Sequence, residues 1–471
     1  MTKRIFIVSN LSVGGVESFS YYLAINLGLK GYQPISVNLG NIKPTDDRYL
    51  DSSSISKLSQ NSTIISFDTF FSTFSDIYPD DLLIIPMYAR RFLEKFTTSV
   101  KVHEKCPIVF GYLHGMGAYY YDNFKVFNPL ISKLISVSQQ GRSELKNVFP
   151  KRIEDITFIA CPSSISLNEN DKKLFLAEDL LNITFIGRMQ DSIKGIFKLP
   201  LILKELEIKN IKIKFRIIGN GPDHEELTRR IETLNLSNIK VEYILDARTP
   251  NLVKNYLLKT DISLVLSNYE GAPLVIYEAL SCGVIPFSYD VGNVSLTIEH
   301  GVSGMVYSIG EISKIVSDIV DLNANRNKLR QMGINALERI SKLGYNYDSC
   351  INDLMAAYAK GNRINAIKAI KLVEKNEQVK RSNLNKWIKD IIPPGIIHKY
   401  YLSHYLEFQH NENKFQLSSH LNKSDLEKIS KELKEVKNEY KKLKSLHDNV
   451  YTRMPNLWLK LGSLIRIIKS Q

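Results

Sequence analysis

The sequence predicts an α/β protein of two facing, doubly wound parallel-sheet domains, followed by a helical extension. Thirteen short apolar runs, rich in β-branched residues, alternate with helix-length amphipathic stretches. Continuous apolar runs of this kind are typical of parallel strands that helices cover on both faces. A polar gap at residues 168–173 divides the runs into two sets, and from about residue 346 the pattern is helical throughout. The predicted domains therefore span residues 1–170, 171–345 and 346–471.

Each predicted strand is followed by a turn and a helix-length stretch. Ligands of parallel α/β sheets bind beyond the carboxyl ends of the strands, so the chemistry is expected in the loops that follow them. The predicted strands are 5–8, 35–39, 64–67, 82–85, 108–110, 134–137 and 156–159 in the first domain, and 183–186, 214–218, 241–245, 262–266, 284–287 and 305–307 in the second.

The positive charge of the chain lies almost entirely in the extension. The 62 Lys and Arg residues and 49 Asp and Glu residues give a net charge of +13, and residues 361–471 account for +11 of it. A basic segment is attracted to anionic lipid or to nucleic acid. The extension contains no recognisable nucleic-acid-binding module and no stacking arrangement of aromatic residues, so we expect no nucleic-acid partner.

The composition indicates a folded protein of the cytoplasm. With 44% hydrophobic and 24% charged residues, the chain is neither disordered nor collagen-like. Its four cysteines lie far apart in the sequence, which predicts reduced thiols. No apolar run approaches the roughly 18 residues of a membrane span. The short run at residues 5–8 predicts a buried strand and not a signal peptide.

Two glycines follow the first predicted strand. Gly14 and Gly15 stand at a strand-to-helix turn, where backbone N–H groups can approach an anion at a helix N-terminus. The spacing is not G-x-G-x-x-G, which disfavours a standard dinucleotide-binding fingerprint. Tight packing is an equally good explanation for such a pair.

Two cations follow the first strand of the second domain. Arg188 comes directly after the strand end, and Lys194 comes six residues later. Such a pair suits a pyrophosphate, with Arg as a bidentate donor and Lys as a point charge. Two solvated surface cations are the alternative. The next strand ends in Gly219-Asn220-Gly221-Pro222, which predicts a structural turn.

The most specific motif contains two glutamates eight residues apart. Glu270 lies in the loop after a predicted strand, and Glu278 lies in the helix-forming run that follows. Carboxylates accept hydrogen bonds from vicinal hydroxyls, so the two side chains can reach two parts of one sugar-containing ligand. A surface Glu and a helix-capping Glu are the alternative. The surrounding pattern Glu-Gly-x-Pro-Leu-x-x-x-Glu-Ala-Leu-x-x-Gly disfavours it.

Seven motifs occur in order along residues 1–350. They are Gly14-Gly15-Val16-Glu17, His114, Ser136-Val137-Ser138, Gly187-Arg188 with Lys194-Gly195, Gly219-Asn220-Gly221-Pro222, the block from Glu270 to Glu278, and Gly301-x-x-Gly304-Met305-Val306. With these motifs, residues 1–350 resemble glycosyltransferase family 4, which contains retaining enzymes of the GT-B fold. In that fold, two Rossmann-like domains close over a nucleotide-sugar.

The resemblance implies a role for each motif. Arg188 and Lys194 would hold the diphosphate and neutralise its charge as it leaves. Glu278 would bind the ribose hydroxyls, while Glu270 would face the donor sugar. His114 would lie near that sugar, with a cleft-lining or helix-capping role as the alternative. The remaining donor contacts implied are Gly14, Gly15, Gly271, Leu274 and Val275.

The same resemblance implies retention of configuration at the anomeric carbon. The sequence has no Asp-x-Asp motif and no His, Cys and Asp cluster with metal-ligand spacing, so we expect neither a metal nor another cofactor. The leaving diphosphate would then be stabilised by Arg188, Lys194 and helix N-termini.

Several positions depart from the family pattern. Ala272 replaces a frequent aromatic residue, Asn293 replaces the second glycine of a common Gly-Gly pair, and Leu296 stands where Glu is frequent. Cys161-Pro162-Ser163-Ser164 stands at the interdomain linker, where Asn-Gly is typical. These departures support an alternative function, that of a catalytically silent GT-B-like scaffold subunit in a glycan-assembly complex.

The extension carries a predicted coiled coil at about residues 424–450. Apolar residues recur there at alternating spacings of three and four, which is typical of a heptad seam and favours a homodimer. One amphipathic helix packed on the body is the alternative. Segments 387–394 and 457–469 combine Trp, aliphatic residues and Lys or Arg. That combination is typical of interfacial helices on anionic membranes, although packing between helices gives a similar pattern.

The sequence thus predicts a cytoplasmic, retaining, metal-independent hexosyltransferase that uses a nucleotide-sugar donor and a glycan acceptor. The basic extension and the habits of the family favour a lipid-linked acceptor at the inner face of the cell membrane. The pathway expected is the synthesis of a bacterial surface polysaccharide, namely lipopolysaccharide, capsule or exopolysaccharide. The donor nucleotide, the sugar and the linkage are not predicted.

Overall fold

Two parallel sheets form the frame of the protein. The computed structural model describes residues 4–391, except 13, 45–48, 116–117, 166, 168–170, 172–179 and 246–249. Within this part, thirteen strands form one sheet of seven strands and one of six. Each strand overlaps one of the predicted runs, which confirms the strand prediction and the α/β class. The prediction succeeds because a buried parallel strand needs only an unbroken apolar run.

The first sheet is doubly wound. Its strands are β1 Arg4–Ser9, β2 Gln33–Asn38, β3 Thr63–Ser66, β4 Leu82–Pro86, β5 Ile108–Leu113, β6 Lys133–Ser136 and β7 Ile156–Phe158. Their order is β3-β2-β1-β4-β5-β6-β7, so the chain changes direction across the sheet between β1 and β4. The helices are α1 Gly15–Leu29, α2 Ser52–Asn61, α3 Phe67–Ser72, α4 Arg90–His103, α5 Ala118–Phe127 and α6 Gln139–Val148.

The second sheet repeats this plan. Its strands are β8 Leu181–Ile186, β9 Ile213–Ile218, β10 Ile239–Ile244, β11 Ile262–Val265, β12 Ile285–Tyr289 and β13 Met305–Tyr307. Their order is β10-β9-β8-β11-β12-β13, which places the switch point between β8 and β11. The helices are α7 Asp191–Lys194, α8 Leu199–Ile208, α9 His224–Glu232, α10 Pro250–Leu257, α11 Leu274–Ser281, α12 Val294–Thr297, α13 Ile312–Ala324 and α14 Arg326–Leu343.

Each sheet has its own apolar core, and later parts of the chain complete the first one. Helix α15, Tyr347–Ala359, buries Cys350, Ile351 and Leu354 in the core of the first sheet. The sequence assigns this helix to the extension. Tyr277 of α11 is fully buried in the same core. The first domain therefore depends on residues that follow the second domain in the chain.

A smaller compact unit combines residues 118–127 with the described residues from Lys371 onward. In it, the Asn376 side-chain amide donates to the backbone carbonyls of Lys125 and Val126 at 3.1 and 3.2 Å. Helix α16, Ala366–Ile391, confirms the helical prediction for the start of the extension. The predicted coiled coil at 424–450 and the basic segment 457–469 lie outside the described residues. In the part described, no helix is long and apolar enough to cross a membrane.

Leu354→Ala is expected to lower the free energy of unfolding by about 3 kcal/mol, because it empties a fully buried position in the first core. Urea titration followed by circular dichroism measures the change. The matched control is Leu201→Ala on α8, where the side chain is 52% exposed and the expected loss is under about 0.5 kcal/mol. Equal transition midpoints for the two variants would contradict the assignment of α15 to the first core.

Candidate functional site

Three loops at the carboxyl edge of the second sheet are fastened to one another. They follow β9, β8 and β11, which are neighbours across the switch point. The Lys198 ammonium donates to the carbonyl of Leu266 at 3.2 Å and to Asn268 Oδ1 at 2.7 Å. The backbone N–H of Asn268 donates to the carbonyl of Ile193 at 2.7 Å. Side-chain and backbone hydrogen bonds therefore hold the loop after β11 against the loop after β8.

The turn that begins at Gly219 packs on the same loop from the other side. Gly219 has φ of 127°, and a Cβ atom on it would lie 2.2 Å from the carbonyl oxygen of Gly187. Only glycine permits this backbone conformation and this close approach. Asp223 Oδ2 also accepts a hydrogen bond from the Asp191 N–H at 2.7 Å. The prediction of a structural turn is confirmed, and the turn supports the loop that carries the two cations.

Lys194 and Glu270 form an ion pair between these loops. Lys194 Nζ lies 2.5 Å from Glu270 Oε1, and the Ser267 hydroxyl donates to the same oxygen at 2.8 Å. The Lys194 and Glu270 side chains are 25% and 14% exposed. No described residue donates to Glu270 Oε2, which leaves that oxygen as a free acceptor. Lys194 is therefore not the solvated surface cation of the alternative interpretation.

Arg188 lies at the same strand end as Lys194. Its side chain is exposed and makes no hydrogen bond or ion pair with the residues that the structure describes. The preceding residue, Gly187, lies next to the Lys194 side chain. A Cβ atom placed on Gly187 would be 3.8 Å from the Cδ and Cε atoms of Lys194. The two cations thus share the end of β8.

Glu278 occupies different surroundings on α11. The hydroxyl of Ser164, in the interdomain linker, donates to Glu278 Oε1 at 2.6 Å. Burial raises the pKa of Glu278, and the hydrogen bond from Ser164 acts in the opposite direction. The structure therefore brings Lys194 and Glu270 into contact and places Glu278 apart from them, beside the linker.

The first turn of α11 connects the two apolar cores. Leu274 packs against the first core and Val275 against the second. Pro273 precedes the helix, and no side chain caps its N-terminus. Uncapped N–H groups at the start of a helix favour a negatively charged ligand.

The two sheet domains approach each other closely at His114 and Gly271. A Cβ atom on Gly271 would lie 2.2 Å from the carbonyl oxygen of His114. The His114 ring packs on Phe19 and Tyr112, with centroid separations of 5.1 and 5.3 Å. Burial lowers the pKa of His114 to about 3. The imidazole is consequently neutral at physiological pH and lies beside the loop of Glu270.

Gly14 and Gly15 stand at the start of α1, at the switch point of the first sheet. Gly15 is exposed, and outside its chain neighbours and the backbone of its own helix no described atom lies within 4 Å of its Cβ position. Tight packing therefore does not account for Gly15. Tyr88, in the loop after β4, donates to Glu17 Oε1 at 3.1 Å and joins the two sides of the switch point.

Sequence reasoning missed the contacts of Ser267, Ser164 and Asn293. The sequence does contain a sign of the Ser267 contact, because Ser267 lies three residues before Glu270 in the same motif. Ser164 and Asn293 were recognisable only as departures from the family pattern. Asn293 Oδ1 accepts a hydrogen bond from the backbone N–H of Gln139 at 3.4 Å, across the two sheet domains. A departure in a pattern does not identify such a distant partner.

The described residues contain no group of three or more His, Cys, Asp or Glu side chains that could hold a metal ion. Besides Lys198, which is hydrogen-bonded to the loop after β11, the positively charged side chains described at these strand ends are Lys194 and Arg188. Metal independence stays a prediction.

Residues 167–339 match the protein family described as "Glycosyl transferases group 1". N-acetyl-alpha-D-glucosaminyl L-malate synthase from Bacillus anthracis is 24% identical over 174 residues, which are 37% of this chain and 42% of that protein. The putative teichuronic acid biosynthesis glycosyltransferase TuaC from Bacillus subtilis is 27% identical over 237 residues, 47% of this chain and 55% of that protein. The chain thus spans about half the length of these relatives.

The whole two-domain body resembles solved glycosyltransferase structures of the GT-B fold. The S. aureus TarM G117R mutant in complex with Fondaparinux, alpha-GlcNAc-glycerol and UDP superposes with a TM-score of 0.60. The match covers 76% of this chain and 100% of that one at 13% sequence identity. Similarity at this level of identity shows the fold alone. The two facing Rossmann-like domains predicted from the sequence are confirmed.

Gly271→Ala is expected to lower the free energy of unfolding by about 2 kcal/mol, because the new methyl group meets the His114 backbone, which cannot move aside cheaply. Differential scanning calorimetry would record a lower transition temperature. Gly15→Ala is the control, since its Cβ position is open, and it should leave the transition unchanged. A Gly271→Ala transition equal to that of the native chain would contradict the close approach of the two domains.

Proposed function

We propose that the protein is a retaining glycosyltransferase that moves a sugar from a nucleotide-sugar to a glycan acceptor. The observation that carries the proposal is the Lys194–Glu270 pair, at the switch point of the second sheet and inside the region that matches the group 1 family. An ammonium and a carboxylate in contact offer donors to a diphosphate and acceptors to sugar hydroxyls within one ligand.

In this proposal, Lys194 and Arg188 bind the diphosphate. Arg188 is exposed and unpaired among the described residues, so its guanidinium can form a bidentate contact with phosphate. An ammonium has three donors, so Lys194 can contact a phosphate oxygen without leaving Glu270. Positive charge fixed at this position stabilises the negative charge that develops on the leaving diphosphate.

The carboxylates and the imidazole are assigned to hydroxyl groups. Glu270 accepts from the donor sugar through its free Oε2 atom, and Glu278 accepts from the ribose. The neutral imidazole of His114 can donate through one nitrogen and accept through the other, which suits a sugar hydroxyl. The further donor contacts that we propose are Gly14, Gly15, Gly271, Leu274 and Val275.

We assign retention of the anomeric configuration and independence from metal to the same site. As the bond to the diphosphate breaks, the acceptor oxygen bonds to the anomeric carbon from the face that the diphosphate leaves. The acceptor proton passes to the departing phosphate oxygen, so no protein base is required for that transfer. The role of Arg188 and Lys194 is to hold the diphosphate in place and to lower its negative charge.

The proposed acceptor is a lipid-linked glycan of a bacterial surface polymer, reached from the cytoplasmic face of the membrane. The Bacillus subtilis relative is named for teichuronic acid biosynthesis, which supports an acceptor of this class of surface polymer. The basic extension also supports it, because its net charge of +11 favours anionic lipid. The Bacillus anthracis relative is named for a product that contains L-malate. Its name therefore supports a different acceptor, a small molecule. A homodimer through the heptad seam at 424–450 remains part of the proposal.

Glu270→Ala should reduce sugar transfer at least a hundredfold, because it removes the acceptor for the donor sugar and leaves Lys194 unpaired. Product formation from a panel of nucleotide-sugars, followed by mass spectrometry, measures the loss. Glu338→Ala is the matched control, since it breaks an exposed Lys–Glu pair, with Lys342, on α14. Undiminished transfer by Glu270→Ala would contradict the site.

Calorimetry separates the enzyme from the silent scaffold. We expect the native chain to bind one of UDP, GDP and ADP, with UDP the first to test because the similar TarM structure contains it. Lys194→Met should weaken that binding about tenfold through the lost phosphate contact. Absence of binding to all three nucleotides would favour the scaffold function.

The basic segment 457–469 is expected to bind anionic membrane. Charge reversal at Lys460, Arg466 and Lys469 should release the protein from vesicles of phosphatidylglycerol and phosphatidylcholine, because each lost cation near the surface costs about 1 kcal/mol of attraction. Co-sedimentation measures the bound fraction. Unchanged binding to the vesicles would instead favour a role of the extension in oligomerisation alone.

A further inference from the structure

The interdomain linker runs along the helix that carries Glu278. The Ser164 hydroxyl donates to Glu278 Oε1 at 2.6 Å, and the Ser281 hydroxyl donates to Ser163 Oγ at 3.0 Å. Residues 278 and 281 are three apart in α11 and therefore lie on the same face of the helix. Two consecutive linker residues thus contact one face of α11.

The linker is held there independently of Glu278. The Ser163 N–H donates to the carbonyl of Tyr345 at 3.0 Å, and its hydroxyl donates to the carbonyl of Ile165 at 3.1 Å. Ile165 is buried in an apolar cluster with Ala279 and Cys282. Because both neighbours of Ser164 are fixed, the linker determines where the Ser164 hydroxyl lies.

Glu278 has fewer donors than a partly buried carboxylate can use. Among the described residues, Ser164 alone hydrogen-bonds its side chain, and Oε2 accepts from none of them. The phenols of Tyr22 on α1 and Tyr347 on α15 lie close enough to interact electrostatically with this carboxylate. A partly buried carboxylate with a free oxygen is suited to a hydroxyl-bearing ligand.

We propose that Ser164 is a positioning residue, which orients the Glu278 carboxylate toward the ribose of the nucleotide-sugar. This inference rests on the proposed function. While Oε1 is held by the linker, the carboxylate cannot turn about its Cγ–Cδ bond without breaking that hydrogen bond, so Oε2 keeps a fixed orientation. The linker, which departs from the family pattern in sequence, is therefore part of the donor site.

The same contact determines the response of donor binding to acid. The Ser164 hydrogen bond stabilises the charged carboxylate, so its removal leaves the effect of burial unopposed and raises the pKa of Glu278 above that in the native chain. The neutral carboxylic acid accepts hydrogen bonds poorly. As the pH falls, Ser164→Ala should therefore lose nucleotide affinity at a higher pH than the native chain. Burial raises the pKa of Tyr22 and of Tyr347, so these facing phenols stay neutral throughout.

The test uses the full chain and two forms of one nucleotide. Calorimetry with UDP, GDP and ADP identifies the nucleotide that binds, and its 2′,3′-dideoxy form is the second probe. Ser164→Ala should bind the ribonucleotide about tenfold more weakly. Its affinity for the dideoxy form should not change, because that form lacks the hydroxyls that Glu278 binds. Ser164→Thr keeps the hydroxyl and should restore binding.

Ser59→Ala is the control, since it removes an exposed serine hydroxyl on α2, which bonds the carbonyl of Ser56 and takes no part in the linker. It should bind both nucleotide forms as the native chain does. An equal loss for both forms with Ser164→Ala, or no loss for either, would overturn the positioning role while leaving the proposed function in place. Failure of the native chain to bind any of the three nucleotides would overturn both.

Discussion

The close packing of three loops at the carboxyl edge of the second sheet is the constraint on which the site depends. The packing partly buries the carbonyl of Leu266 and the side chain of Asn268. Lys198 stabilises the packed loops, because its ammonium hydrogen-bonds both of these groups. Its ammonium lies 5.2 Å from the centre of the Tyr289 ring, and burial lowers its pKa. Leaving such polar groups without partners would cost about 1–3 kcal/mol each. The loops that carry Lys194 and Glu270 are thus held together by a neighbouring lysine.

The Lys194–Glu270 pair explains how the site can be preorganised without a ligand. Each charge compensates the other in a partly buried position, where an unpaired charge would be costly. Neither partner is saturated by this contact, since Lys194 retains further donors and Glu270 retains Oε2. Arg188 needs no such partner, because its exposed side chain is solvated. The charges are therefore in place without a ligand, which is the preorganisation that the proposed binding of a diphosphate would use.

The strands, the switch points and the strand-end loops can be predicted from the sequence, because they follow from apolar runs and from parallel topology. The sequence also predicts that Lys194 and Glu270 lie at the same edge of the sheet. It does not predict their contact, because the two residues are 76 positions apart in the chain. It could not predict that Leu354 completes the first core, because an amphipathic helix does not specify which surface it covers. The Ser164–Glu278 hydrogen bond spans 114 residues and depends on the path of the linker, which no local pattern encodes.

Helix α11 limits how the two sheet domains can move relative to each other. Leu274 and Tyr277 pack in the first core, whereas Ile276 and Leu280 are fully buried in the second. Pulling the domains apart at this helix would expose apolar surface, at about 25 cal/mol for each Å². The linker residues Ser163 and Ser164 contact the same helix. A movement of the linker relative to α11 therefore changes the surroundings of Glu278 directly. Under the proposed function, this one hydrogen bond would couple the position of the linker to the recognition of the ribose.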